Sequence, residues 1–240
     1  MHTHLSLKEP IMTTHSAMAP STIVRSRHRG RLIAPAAAGL AFSAAWVTGL
    51  LVWPSNLDVA ASGARVVSVY AGHRGVAVAQ YVLVEGLAAV ALGVVVIALG
   101  RAARRRGAGR LGGVVVLAGL GAVVVSLAEC ALGLLLAGVV VPDADSGRAA
   151  TWFHLINRLD GVKMLALAAV ALAGAGLARR AGVLPRWLGY VGALLAVAMI
   201  ASGAGYLLLN NTVSQAAAVS LGLLLVWVTG TGVTLGRGYR

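Results

Sequence analysis

"LGGVVVLAGLGAVVVSLAECALGLLLAGVVV", Leu111 to Val141, is an apolar run of 31 residues in which Glu129 is the one charged group. A helix needs roughly 20 such residues to cross about 30 Å of hydrocarbon at 1.5 Å per residue. This run exceeds that length, so it reads as a membrane helix that tilts, kinks or protrudes. The whole chain has the same character: 59% of its 240 residues are hydrophobic and 11% are charged, against roughly 25% charged in soluble domains. The fold class that follows is all-α, a polytopic membrane helical bundle. Almost every residue lies in or beside a span, which leaves no room for a soluble catalytic domain. The single cysteine, Cys130, excludes an intramolecular disulfide and any Cys-rich metal site.

Six transmembrane helices are predicted, at 32–53, 76–99, 112–139, 159–178, 187–209 and 216–236. The formal charge of +13 then resolves into topology. Lys8, Arg25, Arg27, Arg29 and Arg31 precede the first span. Arg101, Arg104, Arg105, Arg106 and Arg110 separate the second from the third, Arg179, Arg180 and Arg186 the fourth from the fifth, and Arg237 and Arg240 follow the sixth. The opposite loops hold Arg65, Arg74 and Arg148 beside Asp58, Asp143 and Asp145. By the positive-inside rule the N- and C-termini and both arginine-rich loops are expected to be cytoplasmic. Their expected partner is the lipid bilayer itself, through anionic headgroups at the arginine loops. No nucleic acid partner is expected.

Residues 1–30 lack apolar periodicity and are rich in Ser, Thr, His and Pro, so they read as a disordered cytoplasmic tail ahead of a transmembrane domain at 31–240. Met1, Met12 and Met18 are alternative starts. The first apolar run is too long for a signal-peptide core of roughly 7–15 residues and reads as a retained anchor. His2, His4 and His15 sit in the tail, where histidines seldom make a defined site, and no metal site is expected of them. The first outer loop, "PSNLDVAASGARVVSVYAGHRG", has an apolar centre from Val66 to Tyr70, as expected of a segment that lies on the membrane surface or caps the bundle. "ALGRAARRRGAGRLGGVVVLAGLG" and "AGLARRAGVLPRWLGYVGALLAV" share a pattern of small-residue helix end, arginine turn and glycine-rich helix start, which hints that helices two and three are related to four and five.

Ionisable groups at membrane depth are costly and count as functional hypotheses. Here they are Glu85, Glu129, Arg158, Asp160 and Lys163. Glu129 lies beside a stripe of small residues, Ala118, Ala122, Ser126, Cys130 and Gly133, and Glu85 continues the line Tyr81, Ala89, Gly93. Such faces pack inward. In "HLINRLDGVK", His154 to Lys163, with Arg158 set at zero and about 100° per residue, His154 falls near 320°, Asn157 near 260°, Asp160 near 200° and Lys163 near 140°. A helix end polar all round suits the headgroup level, with Lys163 free to snorkel outward and able to pair with Asp160 three residues away. Arg158 then lacks a partner within its helix, so the predicted cluster pairs Arg158 with Glu129 or Glu85 in the outer leaflet, near His154 and Asn157. Glu85, Glu129, His154, Asn157 and Arg158 are the candidate binding residues. No HxxxH or HExxH spacing occurs, and neither a catalytic motif, a metal site nor a cofactor is expected.

Taken together, six spans, the glutamate of "LVEGLAAVALG", the glutamate of "LAECALGLLLAGVVV" and the segment "ARRAGVLPRWLGYVGALLAVAMIASG" resemble the uncharacterised bacterial membrane family called domain of unknown function 4386. The likeness covers nearly all of the chain after residue 30, with "GVLPRWLG" as its most specific piece. It implies a multi-pass protein of the bacterial plasma membrane and nothing about mechanism. The functional expectation is a structural or interaction protein whose outer-leaflet cluster of Glu85, Glu129 and Arg158 holds the bundle. The alternative is a small transporter or a lipid- or small-molecule-binding protein using that cluster. An intramembrane enzyme ranks third.

Overall fold

The computed structural model describes residues 23–53 and 57–238, with side chains from residue 33 onward. Seven helices account for these residues: α1 (Ile23–Val52), α2 (Gly63–Ala71), α3 (Arg74–Arg105), α4 (Gly109–Val140), α5 (Ser146–Arg180), α6 (Arg186–Leu207) and α7 (Asn211–Gly236, with a break at Gln215). All except α2 contain a stretch long and apolar enough to cross a membrane, so six spans are present, and no strand occurs among the described residues. The chain is a multi-pass membrane protein. Residues 1–22 of the expected tail lie outside the described residues; α1 begins at Ile23, earlier than the boundary placed at residue 30.

Packing order round the bundle is α1, α3, α4, α5, α6, α7, and α7 closes the ring against α1. The apolar core includes Val95 and Leu99 of α3, Leu177 of α5, Leu188 and Leu195 of α6 and Trp227 of α7, all essentially inaccessible. The outward faces are equally apolar: Leu51, Leu117, Tyr190 and Val197 are exposed. A water-soluble protein rarely carries such a surface, and lipid is the solvent that suits it.

The two arginine turns use one device. Gly107 (φ 74°) follows α3 and Gly182 (φ 57°) follows α5, both in the left-handed conformation that glycine adopts without steric cost. At the first, Ala108 N–H closes onto Ala103 O at 2.9 Å and Gly107 N–H onto Arg104 O at 3.1 Å, the double bond that satisfies the last carbonyls of a helix. At the second, Pro185 is the extended N-cap of α6, where proline's fixed φ costs nothing.

The largest departure from the sequence reading is α5. It starts at Ser146, not 159, because Asp145 caps it by accepting a hydrogen bond from Arg148 N–H at 3.0 Å, a contact typically worth about 1 kcal/mol. "HLINRLDGVK" is therefore well inside a helix rather than at its head. The extra turns are covered by α2, which buries Val66 and Tyr70 against Ala149, Phe153 and Ile156 in a second apolar cluster. Of the two expectations for this segment, lying on the membrane surface or capping the bundle, the packing of Val66 and Tyr70 shows the second. Burial raises the Tyr70 phenol above its usual pKa, partly offset by its hydrogen bond with Tyr81 at 3.0 Å.

Candidate functional site

Beneath that cap, Lys163 of α5 brings three carboxylates together. Its Nζ donates to Glu85 Oε2 at 2.7 Å and to Glu129 Oε2 at 2.5 Å, and forms an ion pair with Asp160 Oδ1 at 2.7 Å. An ammonium has three N–H donors; two hydrogen bonds reach glutamates on neighbouring helices, and the ion pair with Asp160 on its own helix completes the charge contacts. Ser126 Oγ adds a hydrogen bond to Glu85 Oε2. The Lys163 side chain is 7% exposed, Glu129 1%, Glu85 12% and Asp160 21%. Ligand atoms of the three carboxylates lie within 4.8 Å of one another, a spacing that suits a cation, and the Lys163 ammonium is a cation seated among them.

Each group reaches this point for a local reason. Glu85 lies in Val82–Leu87, a π-helical insertion in α3, which widens the turn and rotates the residues around it relative to a regular α-helix. Glu129 belongs to the buried stripe Gly112, Val115, Gly119, Ala122, Ser126, Glu129, Gly133 of α4, a small-residue face that lets helices approach closely. A Cβ at Gly133 would overlap the Tyr81 ring. Asp160 and Lys163 are one turn apart beside Gly161, where a Cβ would stand 2.9 Å from Gly203 O of α6. Measured along each helix, Glu85 to Arg101 and Lys163 to Arg179 are both about 24 Å and Glu129 to Arg110 about 28 Å at 1.5 Å per residue, so the four groups share one level far from the arginine turns.

Of the five candidate residues, Glu85 and Glu129 are in the cluster and the other three are not. Arg158 is exposed and makes no ion pair among the described residues; Lys163 takes the place expected for it. The helical wheel explains the exchange. Continued along α5, the buried residues Phe153, Met164, Leu167, Ala171, Gly174 and Ala178 centre near 200°, while exposed Leu155, Val162 and Leu165 share the arc within about 60° of Arg158. Asp160 and Lys163 are on the inward face and Arg158 is on the lipid side. Lys163 does not snorkel, because α5 continues 17 residues beyond it toward Ser146 under the cap helix. His154 Nε2 is hydrogen-bonded to Ala61 O at 3.1 Å, fastening the connection between α1 and α2 to α5. Asn157 Nδ2 donates to Phe153 O of its own helix at 2.8 Å.

The expected pairing of Asp160 with Lys163 is present. Sequence reasoning did not assemble Asp160, Lys163 and Ser126 with the two glutamates. The wheel angles of the apolar residues downstream of Lys163 carried that signal. A cavity of about 310 Å³ lies at the other end of the bundle, lined by Ala175, Arg179, Arg186, Gly189, Tyr190 and Ala193 of α5 and α6. No family model, curated protein or solved structure matches the chain.

Proposed function

We propose that this protein is a structural or interaction protein of the bacterial plasma membrane, in which the Lys163 centre clamps the second, third and fourth spans together. The observation that carries the reading is the convergence of Lys163 on carboxylates of α3, α4 and α5, with hydrogen bonds across to α3 and α4. Lipid tails cannot replace these partners, so each helix is held to the others by a contact it cannot satisfy with lipid. In this reading both termini and the arginine turns are cytoplasmic. The concentration of arginines at one end of the bundle supports that orientation, and the motif-level resemblance to the domain of unknown function 4386 family supports the bacterial location. Anionic headgroups are the natural partners of Arg101, Arg104, Arg105, Arg106 and Arg110, and of the cavity flanked by Arg179 and Arg186.

The test is thermal unfolding of the purified full chain in lipid nanodiscs. Lys163→Met should be strongly destabilised. The variant with all four charges removed, Glu85→Gln, Glu129→Gln, Asp160→Asn and Lys163→Met together, should recover most of the loss, because a missing partner costs more than a missing network. Equal stability of wild type and Lys163→Met would reject the clamp. A second reading, binding or transport of a small cation at the same centre, is favoured by its unbalanced charge.

A further inference from the structure

Three carboxylates surround one ammonium, which leaves the centre with a formal excess of two negative charges at mostly buried positions. Lys163 is shared among all three. Glu129 Oε1 is fully buried and has no hydrogen-bond partner among the described residues, although Oε2 of the same carboxylate is 2.5 Å from Lys163 Nζ. The orphan atom shares its carbon with Oε2 and so borders the cluster. A buried carboxylate oxygen left without a partner carries its full desolvation cost. The Glu85 and Glu129 carboxylates lie within 4.8 Å of each other and repel, and the one ammonium on both of them is shared with Asp160 as well. Glu85 and Asp160 are the partly exposed members of the cluster.

We propose that the Lys163 centre is a cation-binding site in which Glu129, facing Glu85, holds one further positive charge, a proton or a small monovalent metal ion. With a proton, one carboxylate becomes a carboxylic acid whose O–H donates to the other, no other bond changes, and the formal charge falls by one. With a metal ion, the carboxylates supply oxygen ligands and Lys163 holds their spacing. The groups facing the site are Tyr81 and Glu85 from α3, Ser126, Glu129 and Cys130 from α4, Asp160 and Lys163 from α5, and Tyr206 from α6. The inference uses the meeting of these groups and not the strength of the clamp.

The experiment takes the full chain in nanodiscs and records two quantities for wild type and Glu129→Gln: the infrared C=O stretch of a protonated carboxyl, and the thermal midpoint against pH and against sodium, with choline as the inert salt. For a proton, wild type shows the carboxyl band, Glu129→Gln loses it, and sodium matches choline. For a metal ion, sodium raises the wild-type midpoint above choline and this rise is lost in Glu129→Gln. The bound charge links stability to its activity, so the folded-to-unfolded ratio changes up to tenfold per tenfold change in proton or sodium activity. A wild-type protein with no carboxyl band and no sodium response overturns the proposal, whatever the variant does. Should Glu129→Gln fail to fold, Glu85→Gln removes the facing carboxylate and must abolish the same signal; persistence of the signal there also overturns it. The clamp fails on a separate measurement, the stability of Lys163→Met.

Discussion

Replacing Lys163 with methionine removes a positive charge and keeps most of the side-chain volume, so its effect isolates the ionic contacts. At an effective dielectric constant near 20, each unit-charge contact of about 2.7 Å contributes roughly 6 kcal/mol of attraction, and Lys163 makes three such contacts at 2.5 to 2.7 Å. The carboxylates left behind lie within 4.8 Å of one another and repel by about 3.5 kcal/mol per pair under the same assumption. The observed loss is much smaller than this gross sum, because the abandoned carboxylates relax, draw in water or take up protons. The expected destabilisation is about 3–5 kcal/mol, as for other buried ion pairs broken on one side. Unfolding followed by tryptophan fluorescence in nanodiscs measures it. Acidification should return part of the loss by removing the uncompensated negative charge. A change below about 0.5 kcal/mol, the size of an ordinary surface substitution, would refute the reasoning.

Other substitutions probe the rest of the account. Arg158→Ala should alter stability by no more than about 0.5 kcal/mol, since the side chain is exposed and outside the cluster; a loss as large as that of Lys163→Met would mean that the arginine is the buried partner. His154→Ala removes the bond to Ala61 O and should cost about 1 kcal/mol, with faster hydrogen exchange in the connection between α1 and α2 as its local signature. Gly161→Ala places a methyl 2.8 Å from Leu207 Cγ and 2.9 Å from Gly203 O and should cost about 1–3 kcal/mol through separation of α5 from α6. Ala144 holds φ at 55° on an exposed turn, so Ala144→Gly should stabilise by up to about 1 kcal/mol. Thermal midpoints under matched lipid conditions read all four.

Span number was legible because a membrane helix is specified by length and apolarity, which are properties of the chain alone. The inward faces of Glu85 and Glu129 were legible for a related reason: small residues at helical spacing mark close packing. The membership of the cluster was harder to read, and the misreading of Arg158 has a physical origin. The polar residues near the start of the fourth span circle the helix and read as a collar, when the facing direction is set by the longer apolar stripe from Met164 to Ala178. Its start was misplaced because Arg148 to Asn157 look like loop and collar in sequence, and only the Asp145 cap and the covering α2 helix make those turns part of the bundle. The π-helical insertion at Glu85 depends on tertiary packing and has no composition signal of its own.

The central claim is that one lysine joins three carboxylates, and the chain suits a direct measurement because it contains two lysines, Lys8 and Lys163. Solid-state NMR of the lipid-embedded protein, with lysine Nζ labelled in ¹⁵N and the Asp and Glu carboxyls in ¹³C, reads those distances, and Lys8→Arg removes the other lysine signal. The account predicts that the Lys163 Nζ couples to three carboxyl carbons, those of Glu85, Glu129 and Asp160, each at about 3.5 Å as charge-assisted N–H···O bonds require. A Lys163 Nζ coupled to Asp160 alone, with the two glutamates out of range, would contradict it.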